Sequence, residues 1–188
     1  MAFDLVHEIH EQLDWHWRTQ ARPRLDGLID DEYFWEPTPG SWSVRPHDAA
    51  APSTATMRLG SGWLMDFTHA EPAPPPVTTI AWRMAHLIVG VFGPRAESHF
   101  GAPPADYQTW KFAPTAEGAL AQLDETYADW MAGVRGLTPE ALGKAVGPAE
   151  GPWFDTPMIG LVLHISREGI HHMAEIALLR DLWAHREH

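Results

Sequence analysis

Apolar residues recur at intervals of three and four along four stretches of this chain, and each stretch predicts an amphipathic helix. The first runs from about Phe3 to Ile29, with Phe3, Val6, His10, Leu13, Trp17 and Leu25 sharing one face. Pro23 is expected to kink or divide it, because proline lacks an N–H and crowds the preceding turn. The second starts at Thr78 or Thr79, either of which suits an N-cap, and runs to about His99, with Ile80, Met84, Leu87, Ile88 and Val91 as its apolar face. The third spans about Thr115, its expected N-cap, to Val134, and is led by Leu120, Leu123, Tyr127, Trp130 and Met131. The fourth is expected to use Asp155 or Thr156 as its cap, with Pro157 in the first turn, and to continue to about His185. No stretch reads as a convincing strand. Four helices and no strands predict an all-α four-helix bundle, and 188 residues fit a single domain over residues 1–188.

The connection between the first two helices departs from this pattern. Residues 32–77 carry EYFWEPTPGSWSVRP, then small and polar residues, then EPAPPPV, which reads as a long loop with short local elements. Structureless connections longer than about fifteen residues are uncommon and often functional. Ten tryptophans make such a loop easier to anchor. Trp15, Trp17, Trp82, Trp130 and Trp183 fall in helical stretches, whereas Trp35, Trp42, Trp63, Trp110 and Trp153 fall in or beside loops, where large rings plug connections or line a ligand site.

Charge and cysteine content narrow the functions. A formal charge of -12 argues against a nucleic-acid partner, which clustered Lys and Arg would attract. The opening residues MAFDLVHEIHEQLDWHW hold neither a basic region nor a continuous apolar run, so neither a signal peptide nor a membrane span is expected. The absence of cysteine excludes disulfides, thiolate metal ligands and a cysteine nucleophile, and agrees with a cytoplasmic location.

The densest chemistry lies in HISREGIHHMAEIALLRDLW, residues 164–183. On a helix, His164, Glu168 and His172 follow one another at intervals of four along one face, while His171 points about 100° away from His172. Glu175 stands seven residues beyond Glu168. Glu168 and His172 offer one carboxylate oxygen and one imidazole nitrogen to a common cation, and His86, inside the apolar face of WRMAHLIVG, is the natural third ligand. Zinc, nickel, iron or cobalt suits such a mixed set, zinc and nickel foremost, and an incomplete protein shell leaves room for water or substrate. The same residues also admit a plainer reading, with His86 as a hydrogen-bonded core histidine and Glu168–His172 as an ordinary i,i+4 contact. The H-E-x-x-H motif of zinc proteases is absent.

Three segments resemble the DinB-like superfamily, and most of all its branch of mycothiol-dependent maleylpyruvate isomerase-like proteins. They are DEYFWEPTPGSWSVRP (31–46), TTIAWRMAHLIVG (78–90) and HISREGIHHMAEIALLRDLW (164–183), in family order. The resemblance implies a four-helix bundle, commonly a homodimer, with a divalent metal near one end of the core. It maps the metal ligands onto His86, Glu168 and His172; the position of Glu168 is histidine in much of the family and glutamate in the isomerase-like branch. His164 is then a fourth ligand, a partner of a ligand or a proton-transfer group, and His171 a weaker alternative. Known members include enzymes that use low-molecular-weight thiols, and in this cysteine-free chain any such thiol must come from outside. Arg83, Arg167 and Arg180 are candidates for pairing with a substrate carboxylate, His47 and Arg45 for a loop covering the site, and Arg95, Trp110 and Trp153 for shaping the substrate. The leading expectation is a metal-dependent enzyme acting on a small molecule by thiol transfer or isomerisation. A non-catalytic metal- or ligand-binding bundle is the alternative.

Overall fold

The computed structural model describes residues 4–70 and 72–187. Phe3, the expected start of the first helix, lies outside them. The fold is helix-rich, with a small sheet inserted in the long connection. Helix α1 (Leu5–His16) is capped by the Asp4 carboxylate, which accepts from the His7 N–H. It passes into a π-helical turn over Trp17–Ala21 and a 3-10 turn over Pro23–Leu25. The regular α-helix thus ends at His16, well before Ile29, and Pro23 opens the separate 3-10 turn, dividing the stretch as the sequence predicts. After the short helix α2 (Asp30–Tyr33) the chain forms three strands, β1 (Val44–Pro46), β2 (Met57–Leu59) and β3 (Trp63–Phe67). They form one antiparallel sheet in the order β1-β3-β2. The helical expectation holds, but the expectation of no strands is corrected here. Strands of three to five residues broken by Gly60, Gly62 and Pro46 are too short for alternation to show above loop composition.

The second helical stretch begins at Thr79, whose hydroxyl accepts from the Trp82 N–H, and is not one regular helix. Helix α3 (Ile80–His86) leads into a π-helical segment, Leu87–Phe92, and then α4 (Gly93–Phe100). The irregularity has a local cause. Pro94 has no N–H to give the carbonyl of Gly90 four residues earlier, and the guanidinium of Arg95 donates to that carbonyl instead, at 2.6 Å. Helix α5 (Ala116–Arg135) starts, as expected, on Thr115, which accepts from Gly118 N–H. The short α6 (Pro139–Leu142) and a 3-10 stretch over Pro148–Trp153 precede the long α7 (Met158–Ala184). The N-cap of α7 is Pro157, with no side-chain cap, rather than Asp155 or Thr156. The Thr156 carbonyl is already engaged by the Val146 N–H, so the chain there is tied into the preceding connection.

Helices α1, α3, α5 and α7 pack on one another, and α4 lies against α5. Their apolar faces, including Leu13, Met84, Ile88, Leu123, Trp130, Ile165 and Ile176, belong to one hydrophobic cluster. The sheet is fastened to the start of α3. Trp42 pairs with the segment entering that helix: its N–H donates to Val77 and its carbonyl accepts from Thr79. Thr79 Oγ1 donates to Ser43 Oγ at 2.9 Å. Asp66, fully buried on β3, accepts from the Ser43 N–H and from Arg45 Nε, both at 2.9 Å. Arg45 also donates to Glu36 at 2.7 Å. The SWSVRP motif is therefore a clamp. Arg45 is occupied by these contacts, and His47 is exposed with its carbonyl accepting from Arg58.

Candidate metal centre

His86 ends α3 where the π-helical segment begins, and His172 lies midway along α7. The packing of α3 on α7 brings their rings edge to face, with centroids 4.7 Å apart and planes at 88°. Glu168, one turn before His172, places Oε2 3.8 Å from His172 Nε2. His172 thus stands close to His86 across the packing of the two helices and close to Glu168 along its own helix.

Each histidine has one nitrogen already held. His172 Nδ1 lies 2.7 Å from Glu175 Oε2. Glu175 is held ionised, below the usual carboxylate range: burial alone would raise its pKa, but the hydrogen bond from His172 and the charge of Arg83 outweigh it. An ionised carboxylate only accepts, so His172 donates from Nδ1 and keeps its Nε2 lone pair toward Glu168. Arg83 Nε meets the same Oε2 at 3.1 Å. His86 Nδ1 lies 2.8 Å from the Tyr107 hydroxyl, a group able to accept or donate. Burial, then the proximity of His172 and Arg83, pushes the His86 pKa down to about 3, so its ring is neutral at physiological pH. Burial pushes the Tyr107 phenol up to about 12, so it stays protonated.

Further residues fix the rings. The Trp82 indole is nearly parallel to the His86 imidazole, with centroids 5.4 Å apart, and its Nε1–H donates to the Asp66 carbonyl on β3. The sheet thus reaches the centre through one tryptophan. Tyr107 sits in a turn shaped by Asp106, whose carboxylate accepts from the N–H groups of Gln108 and Thr109. Gly90 lies against the His86–Tyr107 hydrogen bond: a Cβ there would stand 2.2 Å from the Tyr107 oxygen and 2.7 Å from His86 Nδ1. Periodicity gave no hint of Tyr107 or Trp82 as supports. The G-V-F-G-P run inside an apolar pattern was a sign of irregular helix, and π-helical turns are frequent at functional sites.

The remaining candidates divide. His164 Nδ1 is 3.7 Å from Glu168 Oε1 and accepts from Arg167 Nη2 at 2.7 Å, so it flanks Glu168 from the outer side. His171 is exposed, with Nε2 3.4 Å from Glu175 Oε1. His171, His172 and Glu175 offer donor atoms within 4.8 Å of one another, as do His7, His10 and Glu11 on α1. Arg180 is engaged elsewhere: it forms a two-point pair with Glu32 at 2.8 and 3.1 Å and fastens α7 to α2. Trp110 donates to Gln122 beside α5.

The stretch from residue 62 to residue 176, more than half of the chain, matches the family model of the DinB superfamily. This chain belongs to the DinB superfamily. The matched range contains Trp82, His86, Tyr107, Glu168, His172 and Glu175, every residue that builds the centre described above. No curated protein and no solved structure matches the chain. Among the described residues, no helix is long and apolar enough to cross a membrane.

Proposed function

We propose that this DinB-superfamily chain is a metal-dependent enzyme acting on a small molecule, with His86, Glu168 and His172 holding a divalent cation, zinc or nickel. The observation that carries the reading is the treatment of the two imidazoles. Both Nδ1 atoms are occupied, by Tyr107 and by Glu175, while the rings meet edge to face beside a carboxylate that no strong ion pair consumes. Two imidazole nitrogens and one carboxylate oxygen fit a borderline metal, and three protein ligands leave positions for water or substrate. A metal held there would supply Lewis-acid chemistry, lowering the pKa of a water or thiol toward neutrality and polarising an adjacent electrophile.

The chain's own side chains prepare that chemistry. Glu175 fixes the tautomer of His172 and raises its basicity as a ligand. Tyr107 accepts from Nδ1–H of His86 when Nε2 is used for ligation, and Trp82 holds the ring plane. Arg83, which meets the same Glu175 oxygen as His172, balances the charge of that carboxylate. Glu168 is less buried than His172. The finer parts of the proposal are a single domain over residues 1–188 forming a four-helix bundle with its elaborated connection, a cytoplasmic homodimer, and membership of the mycothiol-dependent isomerase-like branch, for which glutamate at position 168 speaks. With no cysteine in the chain, a thiol reactant is external.

The test is elemental analysis of untagged protein beside the His86→Ala, Glu168→Ala and His172→Ala variants. About one metal per chain, lost in each variant with helical content kept, is expected. Stoichiometric metal retained in all three sinks the site. With His171→Ala as a fourth variant, loss in it and in His172→Ala but not in His86→Ala moves the metal to the outer group of His171, His172 and Glu175.

A further inference from the structure

A cavity of about 420 Å³ opens along the N-terminal half of α7, lined by Arg95, Glu150, Trp153, Thr156, His164 and Arg167, among others. Its position is set by α7. Gly160, His164, Glu168 and His172 follow one another at intervals of four, so each stands about 6 Å along the axis and about 40° round from the one before, and the cavity lies on the turns preceding the proposed ligands. Gly160 keeps the wall clear: a Cβ there would come within 2.8 Å of Thr156 Cγ2. The opposite wall is also tied to the centre, because Arg95 donates to the carbonyl of Gly90, the residue lying against His86 and Tyr107.

The charge of the cavity is unbalanced. Glu150 is consumed by His99 at 2.9 Å and by Arg95 Nη2 at 3.6 Å. Arg167 is left with only a long 3.6 Å approach to Glu168 and a hydrogen bond given to His164 Nδ1. Because that nitrogen accepts, the other nitrogen of a neutral His164 carries the proton and is a second donor. Trp153 stands at the rim with 71% of its surface exposed, although it is the largest kind of apolar side chain. A cationic fork, a neutral N–H donor and an open indole together match a small molecule with one carboxylate and a short apolar body.

We propose that this cavity binds the acid group of a small monocarboxylate, held by Arg167 with His164 beside it and covered by Trp153, so that the rest of the molecule reaches toward Glu168, one helical turn from His164. This rests on the metal-centre reading for its purpose but not for its binding. The acid belongs either to the electrophile or to an external thiol. Spacing of one turn matches a chain of two or three carbons between the carboxylate and the reacting atom.

The experiment is calorimetric titration of propionate, propionamide and 3-mercaptopropionate into the metal-free and zinc-loaded full chain, with Arg167→Met and Glu168→Ala as variants. Propionate is expected to bind at least tenfold more tightly than propionamide. Arg167→Met is expected to remove that preference with metal content unchanged, and Glu168→Ala to lose metal with propionate affinity within threefold. Zinc-dependent tightening of 3-mercaptopropionate alone assigns the acid to the thiol, whereas equal affinity for both acids assigns it to the electrophile. Equal binding of acid and amide, no binding of either, or an unchanged preference in Arg167→Met overturns the cavity, even if the metal is present. Absence of zinc uptake with an Arg167-dependent acid preference overturns the metal centre and leaves the cavity standing.

Discussion

His172 donates from Nδ1 to the Glu175 carboxylate at 2.7 Å, three residues along the same helix. Arg83 on α3 forms an ion pair with the same oxygen, at 3.1 Å. Glu175 therefore settles which nitrogen of His172 is free, and it also joins the two helices that carry the proposed ligands.

Replacing Glu175 by Gln keeps an acceptor for His172 but removes the charge that makes Nδ1–H a strong donor. Partners of this kind typically contribute 10- to 100-fold to metal affinity. Zinc affinity measured by competition with a chromophoric chelator is expected to fall by at least about tenfold, with the circular dichroism spectrum unchanged. An unchanged affinity excludes Glu175 as the support of His172.

Gly90→Ala sets two effects against each other. In a helix interior the change normally gains roughly 0.5–1 kcal/mol. Here the new methyl would stand 2.2 Å from the Tyr107 hydroxyl and 2.7 Å from His86 Nδ1, so one of them must move. Thermal unfolding is expected to show a loss rather than a gain, together with weaker zinc binding. Tyr107→Phe, which removes the hydrogen bond without a clash, is expected to weaken zinc binding with a smaller change in melting temperature. A stabilised Gly90→Ala protein with normal zinc affinity contradicts this account.

Much of this centre was legible in the sequence, and the reasons differ by residue. His86 and His172 stood out because a polar ring inside an apolar helical pattern points toward other helices, and Glu168 because four residues is one turn. The caps at Thr79 and Thr115 and the break at Pro23 follow from single-residue chemistry. What stayed hidden depends on contacts between distant segments. Asp66 is buried by pairing with Arg45, twenty-one residues away, and nothing local to either shows it. Glu175 was visible as a neighbour of the ligand stripe but not as the partner of His172, since rotamers decide that. Tyr107 lies in a loop with no periodicity at all. Trp153 and Arg167 each looked like isolated candidates until the turn before α7 placed them around one cavity.

The depressed pKa of His86 predicts an acid limit to folding. In the metal-free unfolded chain this histidine takes up a proton near pH 6.5, but in the folded chain, where burial excludes the charge, only near pH 3. Between these values the unfolded state binds more protons, so the stability of the fold is fully present above about pH 6.5 and declines as pH falls toward 3. Urea unfolding of chelator-treated protein at intervals across this window is expected to show that decline. Its slope should be shallower in His86→Gln, whatever the overall stability of that variant. Parallel slopes in the two proteins rule out His86 as the titrating group.

Arg45→Met tests whether the sheet is part of the centre's support or merely attached to it. Asp66 is fully buried, and burial raises its pKa against the opposing pull of Ser43 and Arg45. Without Arg45 the carboxylate is left with the Ser43 N–H alone in a dry environment. Removing one partner of a buried ion pair costs about 3–5 kcal/mol. For a chain of this size that lowers the melting temperature by roughly 6–20 °C, at 2–4 °C per kcal/mol. The Asp66 carbonyl also accepts from Trp82, whose indole stacks on His86, so movement of β3 loosens one wall of the centre. Zinc affinity is accordingly expected to fall by less than in Glu175→Gln, because both Nδ1 hydrogen bonds survive. A fall in melting temperature with zinc affinity untouched makes the sheet a stabilising attachment only; a parallel fall in both makes the β3–Trp82–His86 stack part of the support that holds the ligand ring.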